Sequence, residues 1–180
     1  MAITSEQGTK ILKVVVGLFN GGISAGNLTG LVTLIDQGTS VADLSDRLAT
    51  GSLFTDKILG GNFTVQNKVN VMMNNFGLVA DSDPISAGSQ AEQFFTTTIS
   101  GGVGLGAIVN EAVNFLSQDN VPAAFAATAT LLDNKAVVAE IYAGRNPPDD
   151  FATMIALLAD VTATSPATRD DAIAFVDIFD

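Results

Sequence analysis

The sequence contains no cysteine, no histidine and no tryptophan in 180 residues, a single tyrosine (Tyr142) and only eight basic side chains. Without cysteine there are no disulfides, no thiol nucleophile and no thiolate metal site. Without histidine the commonest general base and transition-metal ligand is missing too. A serine nucleophile would need another base, and the Ser-x-x-Lys spacing of serine–lysine dyads does not occur. Paired carboxylates for glycoside cleavage must converge in a cleft rich in stacking aromatics, of which this composition has few. The expectation is a protein that is not an enzyme, with no catalytic residues and no required cofactor.

Nineteen acids against the eight bases give a net charge of -11. That charge repels phosphate backbones and anionic lipid surfaces, so nucleic acid is excluded as an expected partner. The bases (Lys10, Lys13, Arg47, Lys57, Lys68, Lys135, Arg145, Arg169) are spread along the chain, and no basic patch is read from them. The longest apolar stretch, Ile11 to Phe19, carries Lys13 and is too short for the roughly 30 Å of a bilayer core. Met1 to Gln7 lacks the basic and apolar regions of a secretory signal. Low Lys and Glu beside abundant Thr, Asn, Asp, Ala and Gly nevertheless looks more like an exported surface protein than a cytosolic one. The expected location is therefore extracellular or at the cell surface without such a signal, with the cytoplasm as the alternative.

What is present is a hydrophobic share of 47% made of Ala, Val, Leu and Ile with eleven Phe. Apolar residues recur at steps of three and four, and strand-type alternation is nowhere sustained. The predicted fold is all-α, a bundle of about eight to ten helices. The first is expected to start at Thr4 or Ser5 and to stop at Gly21-Gly22. The β-branched run Val14-Val15-Val16 is read as helix from the spacing of its neighbours. Ser24, Ser40 and Thr64 are expected N-caps, with a further turn or two over 52–59. Ser86 or Ser89 caps the next helix, Pro122 sits in the first turn of a long one, and Asn146-Pro147-Pro148 ends it. Asp149 and Asp150 open another helix, and Ser165-Pro166 the last.

Ile23-Ser24-Ala25-Gly26 recurs as Ile85-Ser86-Ala87-Gly88, 62 residues later, each time after a helix that ends near a phenylalanine (Phe19, Phe76). Both copies continue as helix, glycine turn, helix. The expected organisation is a first helical half over 1–80, a related second half over 81–146 and a C-terminal extension over 147–180, packed together as one domain.

Asp81 and Asp83, with Ser82 and Ser86, bring hard oxygens together and are the candidate calcium ligands. The glycine and glutamate of an EF-hand loop are missing, and a solvated helix break is the competing reading. Asp149-Asp150 and Asp170-Asp171 are read as first-turn acids complementing helix dipoles. Gly101-Gly102-Val103-Gly104-Leu105-Gly106 invites comparison with phosphate-cradling loops, but no strand precedes it and no Gly-Lys-Ser/Thr ending follows. It is read as a helix connection, Thr96-Thr97-Thr98 as helix surface and Met72-Met73 as core.

The stretch SAGNLTGLVTLIDQGTSVADLSDRLATGSLF resembles a repeated helical module from the N-terminal regions of RTX-type bacterial surface-layer and hemolysin-like exported proteins. Ala25, Gly26, Leu28, Leu31, Gly38, Val41, Leu44, Leu53 and Phe54 carry the resemblance, which spans about residues 10–145 with a weaker second copy. The module's usual Tyr or Trp on the long helix is absent, as are Gly-Gly-x-Gly-x-Asp calcium repeats. The resemblance implies type I secretion and a structural, self-assembling role in a surface layer or its anchor. The implied partners are other copies in a homo-oligomer or lattice and surface polysaccharide. A protein-binding adaptor inside the cell is the alternative.

Overall fold

The computed structural model describes residues 6–145, 147 and 149–179. The fold is all-α: nine α-helices, one π-helical segment and two 3-10 turns, with no strand among the described residues. In order these are α1 (Glu6–Phe19), α2 (Ala25–Asp36), α3 (Val41–Thr50), a π-helical segment (Leu53–Ile58), α4 (Val65–Asn75), α5 (Ala87–Ser100) and α6 (Leu105–Leu116). A 3-10 turn (Ala123–Phe125), α7 (Ala126–Gly144), α8 (Phe151–Ala159), α9 (Arg169–Val176) and a last 3-10 turn (Asp177–Phe179) complete it.

The centre is α1. Every residue from Ile11 to Phe19 is buried, and the helix packs against α2, α3, α4, α6 and α7. A helix that is apolar all round must be enclosed on every side, which is why Val14-Val15-Val16 reads correctly as helix here. Lys13, inside this run, is buried with its amine donating to Ser117 Oγ at 3.0 Å and paired with Asp133 at 2.6 Å.

The caps follow the sequence closely. Ser24, Ser40, Thr64, Ser86, Asp150 and Thr168 each accept a hydrogen bond from the amide three residues on, satisfying donors that the first turn of a helix leaves open. Ser86 rather than Ser89 caps α5. The last α-helix begins at Arg169 with Thr168 as its cap, and Ser165-Pro166 precedes it as a cis peptide. The stretch expected as one helix from Pro122 starts as a 3-10 turn and becomes α-helical at Ala126. The Thr4/Ser5 cap and the stop at Asn146 and Pro148 fall on residues outside those described.

Asn20, not Gly21-Gly22, ends α1: it takes the left-handed conformation at φ 48°, with its amide on Val16 O at 2.8 Å. The two glycines instead let α8 approach. A Cβ on Gly21 would stand 2.9 Å from Ile155 Cδ1, one on Gly22 2.9 Å from Leu157 Cδ2, and the Gly22 amide donates to Met154 O at 2.8 Å.

The Ile-Ser-Ala-Gly echo has a geometric counterpart. Left-handed residues Asn20 and Gly77 end α1 and α4, Ser24 and Ser86 cap α2 and α5, and left-handed Gly38 and Gly102 separate each from α3 and α6. Helices α3 and α6, in corresponding places, pack on each other so tightly that a Cβ on Gly106 would lie 2.4 Å from the backbone at Ser45 and Asp46. The C-terminal helices join the same core: α7 lies along α1 and α9 along α7.

Candidate functional site

Two polar features are buried in this apolar interior. The first joins the C-terminal ends of α1 and α4. The Asn75 amide Nδ2 donates to Gly17 O at 3.0 Å and Leu18 O at 2.7 Å, satisfying carbonyls that the end of α1 leaves open. Lys135 of α7 donates to Asn20 Oδ1 at 2.6 Å and Asn75 O at 3.3 Å. Its cation thus meets the negative ends of two helix dipoles, yet burial brings its pKa down from 10.5 to about 8. The second feature is the Lys13 amine between Asp133 and Ser117. Neither lysine is among the residues lining the two clefts described below; each ties helices together.

An aromatic cleft lies at the other end of α5 and α6 from the glycine turn that joins them. It encloses about 260 Å³ between the end of α4, α5, α6 and the entry to α7. Phe76 and Phe95 stack in its floor with centroids 6.1 Å apart, Phe94 tilts against Phe95 at 5.5 Å, and Phe115 meets Phe125 edge to face at 5.2 Å. Adjacent residues on a helix point about 100° apart. Phe95 therefore enters the core while Phe94 stays half-buried along the cleft. Ala112 between the rings leaves the space open, and Glu111 is the one charged residue among those lining it. Such a surface can bury an apolar side chain beside a cationic group; it offers no proton relay. A second cleft of about 220 Å³ lies over Gly21-Gly22, between Phe19, Leu31, Leu48, Leu53 and α8.

Asp81 and Asp83 are both exposed and bound into successive turns: Asp81 Oδ1 accepts from the Asp83 amide at 2.8 Å, and Asp83 Oδ1 from the Ile85 amide at 3.0 Å. Ser89 fastens this loop to α5 by donating to Asp81 O at 3.0 Å. Among the described residues no three acidic side chains converge as a metal site. Asp150 caps α8, and Thr153 donating from both side chain and backbone lowers its pKa. The exposed carboxylate of Asp149 accepts from Asn27 Nδ2 at 2.9 Å, tying the start of α8 to α2. Asp170 and Asp171 stand in the first turn of α9. The glycine-rich stretch is a helix connection: Gly102 is left-handed, Gly104 occupies the N-cap of α6, and Gly106 serves the crossing with α3. Met72 and Met73 are buried, and Thr96 and Thr97 are exposed.

The aromatic cleft, Asn75 and the two buried lysines escape a reading of the sequence. Phe94-Phe95 and Phe115 carry helix-core spacing, and the cleft is formed only where α5, α6 and the residues at the ends of α4 and α7 come together. No helix among the described residues is long and apolar enough to cross a membrane. No protein-family model, curated protein or solved structure matches this chain.

Proposed function

We propose that this chain is a non-catalytic structural module that associates with copies of itself at the bacterial cell surface, as a surface-layer component or its anchoring domain. The observation that carries the reading is the aromatic cleft: an unfilled apolar surface with one carboxylate, suited to protein contact rather than to reaction. Apolar side chains left in solvent elsewhere on the molecule add to it, among them Phe63, Val79 and Ile85. The similarity of residues 24–54 to the helical module of exported surface-layer proteins supplies the location and the role. Surface polysaccharide is the companion partner under this reading, and calcium bridging between acidic faces is the proposed part for a metal, with Asp81 and Asp83 as its first ligands.

Electron microscopy of cells producing the protein tests the proposal. Ordered arrays or filaments on the surface that carry the chain, as shown by immunogold labelling, are the expected result. Exclusive recovery as a monomer in the cytosolic fraction would refute it.

A further inference from the structure

The surface charge of this protein is divided along the chain. Lys13 and Lys135 are buried, and Arg145 is paired with Asp177. Of the five remaining bases, Arg47, Lys57 and Lys68 fall within residues 47–68, where the one acid is Asp56, giving that stretch a net charge of +2 in a chain of -11. Residues 69–134 contain no base and six acids, five of them besides the Asp133 that pairs with Lys13, and this span contributes every side chain that lines the aromatic cleft.

The basic stretch is also where apolar side chains are left in solvent. Phe63 is 55% exposed, Leu53 47% and Val65 36%, and Phe63 and Val65 are not among the side chains packed against the core. The segment is nonetheless held in place. Asn67 Nδ2 donates to Leu59 O at 3.1 Å and Asn62 O at 2.8 Å, and Asn62 Oδ1 accepts from the Thr64 amide at 3.2 Å, folding the turn before α4 onto its first residues. An aromatic ring presented on a fixed turn is a pre-ordered anchor, so seating it in a pocket costs little further ordering.

Phe63 and the cleft lie at opposite ends of α4: the ring precedes its first turn, and Phe76, which follows its last residue, lines the cleft. Eleven helical residues separate them by about 16 Å, so Phe63 is not placed to fill the cleft of its own chain. A second copy is the matching occupant, since its basic, apolar turn complements in charge an apolar cleft whose one charged lining residue is Glu111.

We infer that copies associate head to tail, with Phe63 of one molecule seated among Phe94, Phe115 and Phe125 of the next and Lys57 and Lys68 facing Glu111 and the acidic span around it. This rests on the self-association proposed above and specifies its interface. Donor and acceptor are different surfaces of one chain, so the contact is heterologous and propagates into a ring or an open filament instead of stopping at a dimer. The net charge of -11 opposes the approach of two copies, and bringing the +2 stretch against the acidic one reduces that repulsion.

The test uses sedimentation velocity on the full chain and two variants, Phe63→Ser on the turn and the double substitution Glu111→Lys with Ala112→Lys in the cleft. Phe63 and Glu111 are exposed, and circular dichroism verifies folding; should the double variant unfold, Glu111→Lys alone takes its place. Each variant alone is expected to associate roughly 30-fold more weakly than the unsubstituted chain, as befits removal of a central anchor. Mixed one to one, the variants should form dimers that do not grow, because each retains the surface the other has lost. If the unsubstituted chain assembles and the variants assemble equally well, or if mixing restores nothing, this interface is overturned and self-association stands. If the unsubstituted chain stays monomeric at all concentrations, both fall.

Discussion

Raising the pH should remove a destabilising contribution that Lys135 makes to this fold. Its pKa falls from 10.5 in the unfolded chain to about 8 in the folded one because burial penalises the ammonium. Below pH 8 both states carry the proton, and the folded state bears the full penalty. Between pH 8 and 10.5 the unfolded chain holds more protons than the folded one, so stability rises with pH, and above 10.5 the gain is complete. The fall from 10.5 to about 8 corresponds to about 3 kcal/mol in total, less than half of it gained by pH 9 and most of it by pH 10. The neutral amine still donates to Asn20 Oδ1 and Asn75 O, so the link between α1, α4 and α7 survives the titration. Urea unfolding at pH 7, 8, 9 and 10, for the natural chain and for Lys135→Met, isolates the effect because other titrating groups cancel in the difference. The natural chain should gain on the variant by about 2–3 kcal/mol between pH 7 and 10. Parallel curves would show that the lysine is not held as described.

Gly106→Ala places a methyl 2.4 Å from the backbone at Ser45 and Asp46, so α3 and α6 must part by about 1 Å; the expected loss is about 2–3 kcal/mol, a fall in Tm of roughly 5–10 °C by calorimetry. Asn75→Ala strips two carbonyls at the end of α1 of their donor and should cost about 2–3 kcal/mol in urea unfolding, while the backbone oxygen that accepts from Lys135 stays in place. Asp81→Asn with Asp83→Asn keeps an oxygen acceptor at each turn, so stability should stay within about 0.5 kcal/mol. Tm measured in millimolar calcium and again with chelator separates turn acceptors from calcium ligands: a calcium-dependent rise lost in the double variant would make Asp81 and Asp83 ligands.

Much of the fold is legible in the sequence because its signals are local. Ser24, Ser40, Thr64 and Ser86 announce helix starts through chemistry that acts over three residues, and Gly38 and Gly102 announce stops through a backbone conformation that glycine adopts most readily. Gly21-Gly22 misleads because two causes favour glycine: a left-handed turn and close approach. Asn20 takes the turn, while the glycines answer to α8, more than 130 residues on. Lys13 and Lys135 look like surface charge in sequence, since their partners Asp133, Ser117 and Asn20 are brought to them only by the packing of α1, α6 and α7. The cleft is illegible for the same reason: Phe76, Phe94, Phe115 and Phe125 belong to different elements, each with ordinary core spacing. Asp81 and Asp83 are legible as a pair of close oxygens, whereas their use as turn acceptors depends on the path of the loop.

Association of the unmodified chain as a function of concentration and salt tests the account most directly. Sedimentation velocity should show a weight-average mass that climbs past twice the 18.5 kDa of the monomer as concentration rises, and that falls back as sodium chloride screens the basic turn from the acidic cleft. A single 18.5 kDa species at every concentration and salt would contradict it.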